Sequence, residues 1–296
     1  MPKNKLILIF VIVAAVALGF IFGNSPGNPT PQKLQVTTSF YPLYFFTGEI
    51  AKDMAKVINI TPAGAEPHDY EPTTQDIANM ENSALLIING GSLETWGDKV
   101  KDNLKKKDVL IVSAAEGLDA LNEDPHVWLD PQLAILEVRK IAKAMETIDP
   151  VNKTVYESNA FSLEKRLEVL DESFRQGLSR CRQKDIVTSH TAFGYIAARY
   201  GFKQVSIAGL TPDEEPSPRQ LAEVANFAKA NNLKFIFFET LLSSRLSETI
   251  ATEIGAKTLV FNPLEGLTPE EENKGEDYFS VQMRNLANLK IALECQ

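Results

Sequence analysis

Short runs of apolar, β-branched residues alternate with helical stretches along the chain from Leu34 onward. Apolar runs that are separated by helices are typical of parallel strands buried on both faces of a sheet. The eight runs fall into two sets of four, which lie at Val36–Phe40, Val57–Thr61, Ala84–Asn89, Val109–Ser113, Asp185–His190, Gln204–Ala208, Lys234–Glu239 and Lys257–Asn262. The pattern therefore predicts an α/β fold with two lobes, each a mostly parallel sheet flanked by helices.

The stretch between the two sets of strands predicts how the lobes are joined. A helix over Pro131–Thr147 and a break at Asp149-Pro150 precede a long helical stretch that ends near Cys181. Apolar residues recur in it at spacings of four, three, four and four, at Leu163, Leu167, Leu170, Phe174 and Leu178. A single stripe of this kind favours one rigid connecting helix over the alternative, a coiled-coil arm. We therefore predict a signal or anchor with its linker over residues 1–33, an N-terminal lobe over 34–149, the connecting helix over 150–181 and a C-terminal lobe over 182–296.

Two segments of similar sequence, Glu71–Ala78 and Glu215–Ala222, lie at corresponding places in the two halves. Each places a Glu-Pro pair and a Ser or Thr residue directly before a predicted helix, which is a common way for helices to begin. Together with the matched strands, these segments indicate that the two lobes are built alike.

The N-terminus carries the features of an export signal or membrane anchor. Lys3 and Lys5 precede an uncharged apolar run from Leu6 to Gly23, and a linker rich in Pro, Gly and Asn follows. No cysteine follows the run, so we expect no lipid attachment there. Cleavage of the run and its retention as an anchor both stay open. We predict an exported protein, periplasmic or at the cell surface, with residues 6–23 as its membrane contact if they are retained.

Charge and cysteine content limit the partners and metal sites that this chain can have. The formal net charge of −9 argues against a nucleic-acid partner, because such a partner requires a basic face. Cys181 and Cys295 lack the CxxC spacing of a thiolate metal site. In an exported protein such a pair forms a disulfide or stays as two buried thiols. We predict the disulfide, because Cys181 ends the long helix and Cys295 ends the last helix of the C-terminal lobe.

The chain has three histidines, and each follows a predicted strand. His68 lies in the loop after the second strand, His126 lies beyond the fourth, and His190 closes the fifth. Open α/β sheets place their ligands at the carboxyl ends of parallel strands, so the three imidazoles are expected at one edge. Each histidine alone could equally be structural, and no HxxxH or HExxH spacing is present. Their shared placement predicts a metal site.

A carboxylate after the last predicted strand supplies a candidate fourth ligand. Glu265 lies in a turn that contains Pro263 and Gly266, which should hold its side chain at little entropic cost. It would give the site two ligands from each lobe, so that the metal stabilises the closed cleft. The acidic residues that compete with Glu265 as the fourth ligand are Glu66, Asp69, Glu71 and Glu239. Of these, we expect Glu66 to point away from its near neighbour His68.

Five segments together resemble the zinc-uptake solute-binding proteins of ABC importers, the ZnuA/TroA family. They occur in the family's order and lie at Glu66–Pro72, Asp124–Pro131, Thr188–Tyr195, Ser206–Pro218 and Asn262–Thr268. The resemblance covers about Leu34 to Leu293 and implies two α/β lobes, one long joining helix and a metal in the cleft. It implies a monomeric receptor, not an enzyme, that serves an ABC permease and its ATPase. The family's ligands fall on His68, His126, His190 and Glu265.

The donor set and the departures from the family refine this expectation. Three imidazoles and one carboxylate suit tetrahedral Zn²⁺, whereas Mn²⁺, the metal of related receptors, favours more oxygen donors. We therefore predict Zn²⁺ as the transported ligand and keep Mn²⁺ as the alternative. The stretch from Ala114 to Asp124 lacks the histidines of the family's metal-scavenging loop, so we expect no such scavenging.

Two other classes of protein stay open. A zinc hydrolase would use three protein ligands and Glu265 as general base, but the sequence shows no nucleophile motif and no dedicated base pair. An adhesin would keep the fold for surface attachment. The missing motifs disfavour the hydrolase, and the predicted metal site favours transport over adhesion.

Overall fold

The computed structural model describes residues 33–118, 121, 124–212 and 214–296. The strands within these residues are β1 (Leu34–Thr38), β2 (Ala55–Asn59), β3 (Leu85–Ile88), β4 (Leu110–Ser113), β5 (Asp185–Thr188), β6 (Lys203–Ser206), β7 (Phe235–Phe238) and β8 (Lys257–Val260). One parallel sheet has the order β2-β1-β3-β4. In the second half β5 pairs with β6 and β7 with β8, also in parallel, and β5 lies beside β7.

Every predicted strand overlaps one observed strand, so the two sets of four are confirmed. Several predicted carboxyl ends run up to two residues past the observed ends. Hydrogen bonds between neighbouring strands do continue there: the Ile60 amide donates to the Thr38 carbonyl at 2.9 Å, and the Ala208 amide to the Ser189 carbonyl at 2.8 Å. The chain then turns into loops, which ends the regular ladder.

Ten helices flank these strands within the described residues. They are α1 (Tyr41–Ala51), α2 (Thr74–Glu81), α3 (Gly97–Leu104), α4 (Pro131–Ile148), α5 (Lys153–Gly177), α6 (Gly194–Tyr200), α7 (Pro218–Ala230), α8 (Arg245–Ile254), α9 (Pro269–Asn273) and α10 (Tyr278–Ala292). Short 3₁₀ turns lie at Lys105–Lys107, Val127–Leu129 and Pro150–Asn152. None of these helices has both the length and the apolar character that a membrane span requires. The predicted anchor at residues 6–23 lies outside the described residues.

The two similar sequence segments begin equivalent helices. Thr73 and Asp76 form a reciprocal capping box at the start of α2, and Ser217 and Gln220 form the same box at the start of α7. Each helix follows the second strand and precedes the third strand of its half. The predicted helix starts are therefore confirmed.

The connection between the halves consists of α4, a break and α5. Asp149 stabilises the break by accepting hydrogen bonds from Asn152 and from the Tyr156 hydroxyl, each at 2.7 Å. Helix α5 packs along α4 and α1, and its whole apolar stripe is buried. The connecting helix is thus part of the body and not a projecting arm. It ends at Gly177, before the predicted end near Cys181.

The largest apolar cluster runs through both halves and sets their relative position. Phe46 of α1 meets Tyr278 of α10 across the halves edge to face, with ring centroids 5.0 Å apart, and within the first half Phe40 meets Trp128 at 4.7 Å. Aromatic pairs in this geometry add to the stabilisation from burial alone. Because residues Leu34–Gln296 also form one compact unit, the exact lobe boundaries stay a prediction.

The predicted disulfide between Cys181 and Cys295 is confirmed. Backbone hydrogen bonds flank it: the Gln183 amide donates to the Leu293 carbonyl and the Gln296 amide to the Arg180 carbonyl, both at 3.0 Å. The bond therefore fastens the chain end to the segment between α5 and β5. It lies at the amino ends of the strands, opposite the edge that carries the histidines.

Candidate metal centre

The structure brings the four predicted site residues together in one buried cluster. His68 lies between β2 and α2, His126 precedes the 3₁₀ turn Val127–Leu129, His190 follows β5, and Glu265 follows β8. Their relative exposures are 0–5%. One potential ligand atom from each side chain lies within 4.8 Å of the other three. The four side chains could therefore share one metal ion.

Glu265 stands at the centre of this cluster. Its Oε1 lies 3.3 Å from Nε2 of His68, 3.1 Å from Nε2 of His126 and 3.3 Å from Nε2 of His190. The Nε2 atoms of His126 and His190 are themselves 3.3 Å apart. All three rings thus present the same nitrogen toward one carboxylate oxygen.

The charges in the cluster reinforce one another. Burial would raise the pKa of Glu265, but His190, His126 and His68 outweigh it and hold the pKa well below its usual range. Burial would lower the pKa of both His126 and His190. Their carboxylate neighbours outweigh it, raising the pKa of His126 and placing that of His190 well above its usual value. The ionised form of Glu265 and the protonated forms of His126 and His190 therefore stabilise one another, so protons compete with a cation for this site.

Two of the rings are fixed by carboxylates on their far side. Nδ1 of His126 donates to Asp124 at 2.6 Å, and Nδ1 of His190 donates to Glu239 at 2.7 Å. A carboxylate at Nδ1 directs Nε2 toward a metal and makes it a stronger ligand. Glu239, which sequence reasoning considered as a competing ligand, thus contacts the nitrogen of His190 that faces away from Glu265.

Asp124 contacts a predicted ligand, His126, but was not among the site residues predicted from the sequence. The signal was present, since Glu66-Pro67-His68 and Asp124-Pro125-His126 share the order acid, proline, histidine. In both tripeptides the acid accepts a hydrogen bond from the histidine amide, at 3.3 Å and 3.0 Å. Only the shorter aspartate also reaches the ring. The Nδ1 atom of His68 is buried and has no hydrogen-bond partner among the described residues.

The other competing acids lie outside the cluster of four. We expected Glu66 to point away from His68. It does not turn fully away, because its Oε1 accepts a hydrogen bond from the His68 amide. Its Oε2 is buried with no partner among the residues described. Burial and the nearby charge of Glu265 raise the pKa of Glu66 to about 9. Asp69 and Glu71 are exposed.

The turn that carries Glu265 is held from several directions. Leu264 is buried and has a φ of 57°, in the left-handed region that a side chain disfavours. Its amide donates to the Asn262 side chain at 2.7 Å, and Asn285 of α10 makes two hydrogen bonds to the Asn262 backbone, at 2.9 Å and 2.7 Å. The predicted constrained turn is therefore present.

Two α/β halves that enclose one buried cluster of three imidazoles and a carboxylate define a metal-binding protein. The chain belongs to the family described as ZnuA, zinc-uptake complex component A periplasmic, whose model matches residues 36–292. This match agrees with the family that the five sequence segments indicate.

Two relatives illustrate the family. The chain is 40% identical to the high-affinity zinc uptake system protein ZnuA of Bacillus subtilis (strain 168), over 96% of this chain and 97% of that protein. It is 38% identical to the zinc-binding lipoprotein AdcA of Streptococcus pneumoniae, over 95% of this chain but only 60% of AdcA. The chain thus spans about three fifths of AdcA.

Solved structures agree with the described fold. The Zn(II)-bound ZnuA-like domain of Streptococcus pneumoniae AdcA is 41% identical, with a TM-score of 0.79 over 88% of this chain and 99% of that domain. The laminin-binding protein Lmb of Streptococcus agalactiae, described as having adhesin and metal transporting activity, is 36% identical. Its TM-score is 0.80 over 88% of this chain and 99% of Lmb.

Proposed function

We propose that this chain is the extracytoplasmic receptor of an ABC-type zinc importer, and that one Zn²⁺ ion is held by His68, His126, His190 and Glu265. The distances around Glu265 carry the proposal. Four ligands about 2.0–2.1 Å from a tetrahedral zinc ion lie roughly 3.3–3.4 Å from one another. Four of the six separations are 3.1–3.3 Å, close to those edges, and the other two are no longer than 4.8 Å, so the donors already stand near the corners of a zinc tetrahedron.

The same donor set supports zinc over manganese. Three imidazole nitrogens and one carboxylate oxygen suit a borderline-soft, four-coordinate ion, and zinc ranks above manganese in affinity at such a site. Manganese prefers additional oxygen ligands in an octahedral arrangement. The Zn(II)-bound structure of the AdcA domain supports the same choice.

A zinc hydrolase is disfavoured by the position of Glu265. A catalytic zinc ion keeps one position open for water, and the general base stands free beside it. Here the carboxylate lies within 3.3 Å of all three rings and completes the donor set. The family consists of substrate-binding proteins of ABC transport and not of enzymes.

The partners of this receptor follow from the family. We propose that an ABC permease and its ATPase accept the ion, and that the receptor acts as a monomer. Export agrees with the periplasmic family description and with the apolar N-terminal run. Anchoring through residues 6–23 stays a prediction. Because Lmb is described as having both adhesin and metal transporting activity, we propose to test surface attachment as a second role beside transport.

A competition titration tests the proposal. The full chain is titrated with Zn²⁺ and with Mn²⁺ against chelators of known affinity, and hydrolysis of model esters and peptides is followed in parallel. We expect one tightly bound Zn²⁺ per chain, weaker Mn²⁺ binding and no turnover. His190→Ala should lower zinc affinity by at least about tenfold, because water must complete the site. Unchanged zinc affinity in this variant would remove His190 from the ligand set.

A further inference from the structure

Trp128 connects the two ligands that approach each other most closely across the halves. It lies two residues after His126, and its ring N–H donates at 2.8 Å to the carbonyl of Pro263, two residues before Glu265. The indole is fully buried, and its centroid lies 5.2 Å from that of the His126 ring. We infer that Trp128 is a positioning residue, which fixes the spacing of His126 and Glu265 and so favours four-coordinate Zn²⁺. This inference rests on the proposed function.

The segment 124–130 leaves the first sheet in sequence but is bonded to the second half of the chain. The Tyr278 hydroxyl donates to the Trp128 carbonyl at 2.5 Å, and the Gln282 amide group donates to the Leu129 carbonyl at 3.2 Å. These two bonds lead to α10. Besides the contact between His126 and Glu265 themselves, the bond from Trp128 to Pro263 joins this segment to the turn of Glu265.

That turn has a reason to move when the bond is lost. The peptide group between Pro263 and Leu264 is held at both ends, its carbonyl by Trp128 and its amide by the Asn262 side chain. This peptide precedes Leu264, whose left-handed φ is unfavourable for a residue with a side chain. Removal of the indole N–H frees the carbonyl end, and rotation of the peptide then relieves Leu264. Glu265, the next residue, moves with it.

The expected effect concerns selectivity as well as affinity. A tetrahedral ion needs every pair of donors roughly 3.3–3.4 Å apart, close to the present 3.1 Å between Glu265 Oε1 and His126 Nε2, whereas an octahedral ion accepts donors at adjacent or opposite positions and completes its shell with water. A loosened turn therefore weakens Zn²⁺ more than Mn²⁺. A purely structural role would weaken both alike through lower stability.

The chain offers a matched control, because it contains one other tryptophan, Trp96. Trp96 is 3% exposed and packs in a separate apolar cluster with Met80 and Val100. Trp128→Phe and Trp96→Phe thus make the same change in two buried places. Titrations of the full chain with Zn²⁺ and Mn²⁺, together with the visible absorption of bound Co²⁺, report affinity, selectivity and ligand geometry.

We expect Trp128→Phe to lower zinc affinity by about tenfold, to lower Mn²⁺ affinity less, and to change the Co²⁺ spectrum. Trp96→Phe should leave all three unchanged. If Trp128→Phe does not fold, 3-benzothienylalanine is incorporated for Trp128 in the Trp96→Phe chain, which replaces only the N–H. Zinc affinity and a Co²⁺ spectrum equal to those of Trp96→Phe would overturn the positioning role. A wild-type chain that binds no zinc would instead overturn the proposed function, and the positioning role with it.

Discussion

Glu239 accepts hydrogen bonds from both the ring and the backbone amide of His190, at 2.7 Å and 3.1 Å. The carboxylate thereby decides which ring nitrogen faces Glu265. We predict that Glu239→Ala lowers zinc affinity by about tenfold or more, the usual loss when such a partner is removed. Titration beside Glu71→Ala, an exposed acid in the His68 loop, provides the control. Equal affinities in the two variants would contradict the role.

The fourth-ligand assignment is tested by comparing Glu265 with Glu66. Glu265 carries a carboxylate whose pKa lies well below its usual range, whereas the pKa of Glu66 is raised to about 9. An ionised carboxylate binds a cation better than a protonated one, so Glu265→Gln should be the more damaging change. We predict a difference of at least about 1.4 kcal/mol, or about tenfold in affinity. Equal or reversed effects in zinc titrations would show that the assignment is wrong.

Zinc binding should release protons. Burial would lower the pKa of His126 and His190, but their carboxylate partners outweigh it and raise both, that of His190 well above its usual value, so the metal-free protein favours their protonated forms. We predict release of at least about one proton per zinc ion at neutral pH, and an affinity that falls as the pH is lowered. Calorimetry in buffers of different ionisation enthalpy counts these protons. His190→Ala should release about one proton fewer, and a count of zero in the wild type would refute the prediction.

Reduction of the disulfide should affect stability and leave the site intact. The bond joins residues 114 positions apart, so by the chain-entropy account its loss costs about 4–5 kcal/mol. We predict this loss for the Cys181→Ala and Cys295→Ala double variant in urea unfolding, with unchanged zinc affinity. Affinity is spared because the bond and the cluster lie at opposite ends of the strands. A weaker zinc complex in the folded variant would show that the two regions are coupled.

The stability of the metal-free protein should depend on the protonation of Glu137. This residue of α4 is fully buried, and neither carboxylate oxygen has a hydrogen-bond partner among the described residues. Burial raises its pKa from 4.5 to about 8, with Lys140 opposing the shift. The folded state thus binds more protons than the unfolded state between these values, so stability falls as pH rises through this window.

We predict that Glu137→Gln removes this dependence and gains about 1.4 kcal/mol over the wild type for each pH unit in the window. Urea unfolding at about pH 5 and about pH 8 measures the difference. Glu157→Gln, an exposed position on α5, is the control. The prediction fails if the Glu137 variant follows the pH dependence of the wild type.

The fold could be predicted from the sequence because a local pattern of apolar residues specifies each element. Each buried strand carries its own apolar run, and the stripe from Leu163 to Leu178 identifies α5 on its own. Boundaries were less accurate. The predicted end of the long helix near Cys181 missed the break after Gly177. Beyond the break Cys181 pairs with Cys295, 114 positions away, and no local pattern shows such a contact.

The candidate site could be predicted from the sequence only in part. The placement of His68, His126 and His190 after strands brings them to one edge, as the structure has them. The hydrogen bond from Trp128 to Pro263 spans 135 residues, and no local pattern predicts it. The left-handed Leu264 was also missed, since a glycine is the usual occupant of such a conformation.

The separation of the four ligands along the chain bears on when the ion is acquired. His126 and His190 are 64 residues apart, and His68 and Glu265 are 197 apart, so no short segment holds two of them. A half-made chain holds at most two of the four ligands, His68 and His126, and lacks His190 and Glu265. The strands of both halves must be in place before all four donors meet. A chain that crosses the membrane unfolded therefore arrives without its cargo and loads it on the outer side, after folding is finished.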